Sequence, residues 1–258
     1  MKKTIGKILA LMMCLIMAGA LSACGSKEKV YKVSTEPTYP PFDTTNKSGD
    51  IVGFDMDLMK AIAKDQGFKV EFESLEFDAL IPALKSDSTD IVIAGMNVTP
   101  ERAKQVAFSD PYYKTGIVVL VKKDNTTISG WDSFTSGSGL KVAVQTGTSQ
   151  ADIAEQLKKE GKISKVTILN QNTTALQQLE NGDVDAVLVD KPVAVDIVAS
   201  KGEKYKVVGD MKADSVADVA IAVKTDNKDL LKKINKGLKN LKENGTYDKL
   251  AKKWKIEQ

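Results

Sequence analysis

An α/β fold, with parallel sheets covered by helices on both faces, is what this sequence predicts, and three observations carry it. Short apolar runs recur along the chain, several of them continuous and β-branched, the pattern of strands buried on both faces. Stretches with apolar residues three and four apart lie between them, as amphipathic helices require. The two patterns alternate over most of the chain, which is how parallel sheets and their crossover helices are written in sequence.

The strands are read at 30–34, 70–75, 91–94, 117–121, 141–144, 166–169, 186–189, 205–208 and 219–223. Helical spacing joins Phe54, Leu58 and Ile62, then Leu80, Ala83 and Leu84, then Ile153 and Leu157, then Leu176 and Leu179, with Gly182 as a C-terminal stop. From Lys228 on, Leu230, Leu231, Ile234, Leu238 and Leu241 form one stripe and lysines fill the rest. Asn244-Gly245 breaks that helix, and Tyr247, Leu250, Ala251 and Trp254 form a second stripe. Acidic residues interleave the lysines, so two helices docked on the body are expected; the alternative is a basic amphipathic helix lying on a membrane or a partner. The Ser-, Thr- and Gly-rich stretch 125–139 reads as a domain boundary or a surface loop.

The N-terminus has a different character. Lys2, Lys3 and Lys7 precede an uncharged run over 8–20 that ends in Leu21-Ser22-Ala23-Cys24. The run is shorter than the roughly 20 residues a membrane span needs, so residues 1–23 read as a signal peptide. Small residues ending directly in cysteine resemble the bacterial lipobox, which implies cleavage after Ala23 and a diacylglyceryl thioether on Cys24. One acyl chain anchors weakly, so a second, palmitate-type chain is expected on the mature N-terminus. Residues 24–29 would then be the lipidated cysteine and a polar tether, and the mature protein would sit at the outer face of the cell membrane.

Composition narrows the chemistry. Lys2, Lys3 and Lys7 account for the whole excess of 37 basic over 34 acidic residues, so the chain from Cys24 on is balanced and nucleic acid is not an expected partner. The two cysteines are Cys14, in the signal segment, and Cys24, which leaves no thiol for a disulfide, a metal or a nucleophile. There is no histidine, the commonest general base and metal ligand. Neither a metal nor a cofactor is expected.

Three places carry candidate chemistry. Thr99 reads as a helix N-cap with Pro100 at the first helical position, and Glu101 suits the positive end of the dipole. Arg102 opposes that dipole, so helix stability does not explain it. Its planar fork matches a carboxylate, while a surface ion pair with Glu101 or Asp110 is the alternative. Asp190 ends a buried strand just before Lys191-Pro192, where α/β sheets bind ligands, and it can accept from an ammonium or cap the following helix. Gly147-Thr148-Ser149 lies between a strand and a helix, and serves either as an anion-binding turn or as an N-cap.

Six segments resemble the amino-acid-binding proteins of bacterial ABC importers, the family-3 extracellular solute-binding proteins. They are Thr38-Tyr39-Pro40-Pro41-Phe42, Gly53-Phe54-Asp55-Met56-Asp57-Leu58, Phe77-Asp78-Ala79-Leu80-Ile81-Pro82-Ala83-Leu84, Ala94-Gly95-Met96-Asn97-Val98-Thr99-Pro100-Glu101-Arg102, Phe108-Ser109-Asp110-Pro111-Tyr112-Tyr113 and Asn244-Gly245-Thr246-Tyr247, in family order. The resemblance implies a periplasmic-binding-protein-like type II architecture: two α/β lobes joined by two crossing strands. Lobe 1 would comprise 30–114 plus 216–258 and lobe 2 would comprise 115–215, with hinges near 112–116 and 213–218.

It also implies roles. Arg102 would clamp the ligand α-carboxylate with help from Thr148 and Ser149, and Asp190 would take the α-ammonium. Gly95 would contribute main-chain groups, and Asn97 stands where the family has Ser or Thr. Tyr39 and Phe77 would sandwich the ligand side chain. Glu36 matches an acidic position that contacts polar side chains, and Gln145 a position that varies with specificity. An acidic Glu36 argues against glutamate or aspartate and for glutamine, arginine or lysine, with a dipeptide or opine as the alternative. The expected partners are a free amino acid and the membrane permease of an ABC importer, and the protein is expected to be a monomer without enzymatic activity. Two rivals stand beside this reading. A cyclohexadienyl-type dehydratase on the same scaffold needs a positioned acid or base, for which only Glu36 and Asp190 offer themselves. A receptor sensor module needs a further transmembrane helix and a cytoplasmic domain, neither of which is read in this sequence.

Overall fold

A computed structural model describes residues 28–256. The signal-peptide and Cys24 expectations lie outside those residues. Along the chain run β1 (Val30–Thr35), β2 (Thr38–Tyr39), β3 (Asp43–Thr45), β4 (Ile51–Val52), α1 (Phe54–Gln66), β5 (Lys69–Ser74), α2 (Leu80–Lys85), β6 (Ile91–Val92), α3 (Pro100–Ala103) and β7 (Ala107–Phe108). There follow β8 (Tyr113–Thr115), β9 (Ile117–Lys122), β10 (Lys141–Gln145), α4 (Ser149–Lys159), β11 (Lys165–Leu169), α5 (Asn172–Asn181), β12 (Ala186–Asp190), α6 (Lys191–Lys201) and β13 (Tyr205–Val208). The chain closes with β14 (Ala217–Val219), β15 (Ala222–Val223), α7 (Lys228–Glu243) and α8 (Thr246–Trp254).

These strands build two five-stranded sheets, ordered β5-β1-β6-β15-β7 and β11-β10-β12-β9-β13. Each lies in its own α/β lobe. The expectation of purely parallel sheets is corrected: β1 pairs parallel with β5 and β6, and β10 with β11 and β12, but β15 and β9 run antiparallel to their neighbours. The physical reason is the connection between lobes. A chain that arrives through β8 enters the second sheet at β9 from the opposite end, and on return through β14 it does the same at β15. The two crossing strands pair with each other, Tyr113 opposite Val219 and Thr115 opposite Ala217. The apolar run 219–223, read as one strand, is therefore two strands in different sheets. The Ser- and Gly-rich stretch 125–139 is a loop between β9 and β10, pinned by buried Ile128 and Phe134, and no boundary falls there.

Alternation in β9 shows why both faces of a sheet are covered. Ile117, Val119 and Val121 pack with Ala151 and Ala154 of α4, while Val118 and Leu120 pack with Leu176 and Leu179 of α5 and Val193 of α6. In the first lobe α1 packs against α7 through Leu58, Ile62, Leu230, Ile234 and Leu238. Gly237 makes that approach close, since a Cβ there would stand 2.8 Å from Ile62 Cγ2. The lysine-rich C-terminus is docked on the body, its Trp254 indole donating to Asp57 at 2.8 Å.

Candidate functional site

Most candidate side chains lie at or just after the C-terminal end of a parallel-paired strand, where unpaired main-chain groups and helix N-termini gather. Glu36 follows β1, Gly95 and Asn97 follow β6, Gln145 ends β10, and Asp190 ends β12. The two sets of strand ends face one another across a cleft. Its hollow is lined by Glu36, Tyr39, Phe77, Gly95, Asn97, Gln145, Thr148 and Asp190 from the sequence expectations, and by Ala94, Gln150, Asn172 and Leu188, which the sequence did not single out.

Arg102 is held by α3, where Thr99 caps the helix by accepting from the Arg102 amide at 3.2 Å and Pro100 opens the first turn. Its guanidinium is not in a surface ion pair. It is buried, donates through Nη1 to Asn97 O at 2.7 Å and Asn97 Oδ1 at 3.0 Å, and crosses the cleft through Nη2 to Gly147 O at 3.0 Å. The Phe77 ring lies 5.2 Å from its Cζ, a cation–π contact. Burial lowers its pKa, and the charge of Asp190 acts in the opposite sense.

Asp190 is 3% exposed. Its Oδ2 accepts from the Tyr39 hydroxyl at 2.6 Å and from Gln150 Nε2 at 2.7 Å, while its Oδ1 is buried without a partner. Burial pushes the carboxyl up to about 6, against the pull of Tyr39, Gln150 and Arg102. It stands at the N-cap of α6 but makes no side-chain cap, so of its two sequence roles the structure leaves the cleft-facing one.

Thr148 caps α4, accepting from the Ala151 amide at 3.2 Å, and Ser149 Oγ accepts from Asn97 Nδ2 at 3.2 Å across the cleft. Neither Ser149 nor Arg102 itself lines the hollow; each reaches it through its hydrogen bond with Asn97, which does. Gly95, at φ 56°, lets the Tyr39 ring lie against the backbone, since a Cβ there would be 2.5 Å from Tyr39 Cε1. Glu36 accepts from the Thr38 hydroxyl at 2.7 Å, and burial raises its pKa. Gln145 donates to Asn170 O at 2.9 Å and accepts from Asn172 Nδ2 at 2.8 Å.

Two further residues have a signal that sequence reading passed over. Gln150 precedes Ile153 and Leu157 at helical spacing, and Asp55 precedes Leu58 and Ile62, so each is a polar side chain on a buried stripe. Asp55 supports the site from behind, accepting from the Gly95 amide at 2.8 Å and the Tyr112 hydroxyl at 2.9 Å. Burial pushes it up to about 7, and burial together with the charge of Asp55 holds Asp43 well above the usual carboxylate range.

Chemically, the cleft offers a buried cation and a buried carboxylate with a free oxygen, brought from different lobes and flanked by two aromatic rings. No group of acidic residues able to hold a metal is found among the described residues, and none of their helices is long and apolar enough to cross a membrane.

Comparison with known proteins fits this geometry. The family model described as bacterial extracellular solute-binding proteins, family 3, matches residues 31–257. The arginine-binding extracellular protein ArtP of Bacillus subtilis (strain 168) is 37% identical over 257 residues, covering 96% of this chain and 97% of its own. A solved ancestral arginine-binding protein bound to arginine superposes with a TM-score of 0.82 at 43% identity, covering 88% of this chain and 98% of its own. The ancestral amino acid-binding protein AncCDT-1, a precursor of cyclohexadienyl dehydratase, superposes with a TM-score of 0.79 at 39% identity, covering 87% and 95%.

Proposed function

The chain belongs to the bacterial extracellular solute-binding proteins of family 3, and from that premise we propose that it captures a free amino acid with a cationic side chain, arginine first, and presents it to the permease of an ABC importer. We take lobe 1 to be 30–114 with 216–258 and lobe 2 to be 115–215. Arg102, with Thr148 and Ser149, holds the ligand carboxylate; Asp190, with Tyr39 and Gln150, holds the ammonium.

The observation that carries this reading is buried Asp190 lining the cleft with an oxygen left without a donor, and buried Arg102 beside the cleft, bonded to neutral oxygens of Asn97 and Gly147. A zwitterion supplies an ammonium to the first and a carboxylate to the second. Glu36 at the cleft favours a donor-bearing side chain, and Tyr39 and Phe77 flank its alkyl part. The relatives that bind arginine support the same choice. The N-terminal segment carries a signal peptide and a lipid on Cys24, which keeps the receptor beside its permease.

The likeness to AncCDT-1 favours one second reading, a dehydratase on this scaffold. Glu36 and Asp190 are the acids that line the cleft, and the hydrogen bonds of Asp190 to Tyr39 and Gln150 fit an ammonium acceptor. A thermal-shift panel of the twenty amino acids separates the readings when run beside a prephenate turnover assay. Arginine at 100 times its dissociation constant adds about 2.7 kcal/mol of stability. No shift with any amino acid, or turnover of prephenate, overturns the receptor reading.

A further inference from the structure

A second hollow, of about 270 Å³, lies against the crossing strand β8 and shares no lining residue with the cleft. Its size is close to the lower end of small-molecule sites, about 300 Å³. Both lobes supply its walls: Pro41 and Trp254 from the first, Val195 and Met211 from the second. On each lobe the segment that lines the cleft runs on into this hollow. Tyr39 lines the cleft and Pro41 the hollow; Asp190 lines the cleft and Lys191 and Pro192 the hollow.

Its lining is apolar and open to solvent. Val195 is 47% and Met211 36% exposed, and Val216, at 44%, stands in an adjoining hollow that shares both. Among the described residues the only other large apolar side chains so exposed are Val30 and Ile168, so exposed apolar surface is gathered at the hinge. The rim is basic, with Lys114, Lys191 and Lys255 set against one carboxylate, Asp196. Lys114 pairs with Asp218 at 3.4 Å, while Lys191 and Lys255 stand in no ion pair among the described residues. Asp196 feels the charge of Lys255 at longer range. An apolar wall with cations at its mouth suits a small organic anion: its body covers Val195 and Met211, and its charged group meets the two ammonium groups.

The hollow has this shape while the lobes hold one another through Tyr39 and Asp190 at 2.6 Å, Asn97 and Ser149 at 3.2 Å, and Arg102 and Gly147 at 3.0 Å. Each lobe supplies walls to both spaces, so a change in the angle between lobes reshapes the hollow, and a molecule that fits its present shape favours the closed arrangement. We propose that this hinge-side hollow is a second ligand site, for a small apolar anion, and that its occupation tightens binding of the amino acid in the cleft. The site itself stands apart from the receptor reading; the effect on the amino acid rests on it.

The probe is anilinonaphthalene sulfonate, an aromatic anion whose fluorescence rises when it leaves water. It should bind wild type saturably. Val195→Glu, which puts a like charge on the apolar wall, and Lys255→Met, which removes a rim cation, should each weaken it about tenfold or more. Ile168→Glu, at an exposed apolar position on β11, should leave it unchanged. Saturating L-arginine should tighten the dye about fivefold or more, and by reciprocity the dye should tighten arginine by the same factor in calorimetry. Absence of saturable binding, binding unmoved by both Val195→Glu and Lys255→Met, or an arginine affinity indifferent to the dye each overturns the proposal. So does a concentration-dependent dimer in sedimentation that Val195→Glu disperses, which would put a second copy of the chain on this face. If no amino acid binds, the receptor reading and the effect on it fall together, and the dye titrations alone decide the site.

Discussion

Adding one methyl group at Gly147 should weaken ligand binding without touching any group that holds the ligand. Gly147, at φ 71°, lies against Asp78 of the other lobe, and a Cβ there would stand 2.9 Å from Asp78 Cβ and 3.1 Å from Asp78 Cα. Ordinary carbon contacts lie at about 3.5–4.0 Å, so the lobes must part locally by roughly half an ångström or more. That displacement stretches the 3.0 Å bond from Arg102 Nη2 to Gly147 O to the edge of hydrogen-bond range. A bond to a charged group contributes about 1.5–3 kcal/mol, so closure in Gly147→Ala is disfavoured by that much and affinity falls roughly 10–100-fold. The left-handed backbone adds about 1–2 kcal/mol for alanine, but it does so in open and closed forms alike and cancels from the affinity. Gly161→Ala is the control: φ is 70° and nothing lies within 4 Å of its Cβ. Both variants should lose similar thermal stability without ligand, and only Gly147→Ala should lose affinity by calorimetry. Equal affinities in the two variants would refute the reasoning.

Arg102→Ala and Asp190→Asn each leave a ligand charge unpaired in the closed cleft, so calorimetry should show losses of about 3–5 kcal/mol, while circular dichroism shows an intact fold. The raised carboxyls Glu36, Asp43, Asp55 and Asp190 make the folded chain bind more protons than the unfolded one between about pH 4 and 7. Urea stability without ligand should therefore fall as pH rises through that window, and Asp55→Asn should flatten the fall. Ligand ammonium favours charged Asp190, so binding near pH 6 should release a proton, seen as a buffer-dependent calorimetric enthalpy, and affinity should rise from pH 5 to 7. Protein from cells should carry a diacylglyceryl group on Cys24 by intact mass, and an unmodified Cys24 would end the lipoprotein reading.

Much of the scaffold was legible because the signals are local. Strands such as Ala186–Asp190 are continuous apolar runs, and the caps at Thr99 and Thr148 announce α3 and α4. Strand direction was not legible, since antiparallel β9 and parallel β10 have the same buried β-branched pattern and differ only in which end the chain enters. Arg102 was legible because its helix gives it no work, and Asp190 because it ends a buried strand at the edge where α/β sheets bind ligands. Gln150 and Asp55 were passed over, although both interrupt a buried helical stripe, because a polar residue at a helix start reads first as a capping choice. The hinge-side hollow has no local signal at all; its walls lie far apart in sequence and depend on how the two lobes come together.

The central claim is that a free amino acid is gripped at both ends, its carboxylate by Arg102 and its ammonium by Asp190. Calorimetric titration of wild type with L-arginine, L-arginine methyl ester and N-acetyl-L-arginine tests it most directly, since each blocked form removes one charge and keeps the side chain. Arginine should bind one to one, and both blocked forms should bind at least about 100-fold more weakly, the lower end of what an unpaired buried charge costs. If either blocked form binds as tightly as arginine, the corresponding end of the grip is misassigned.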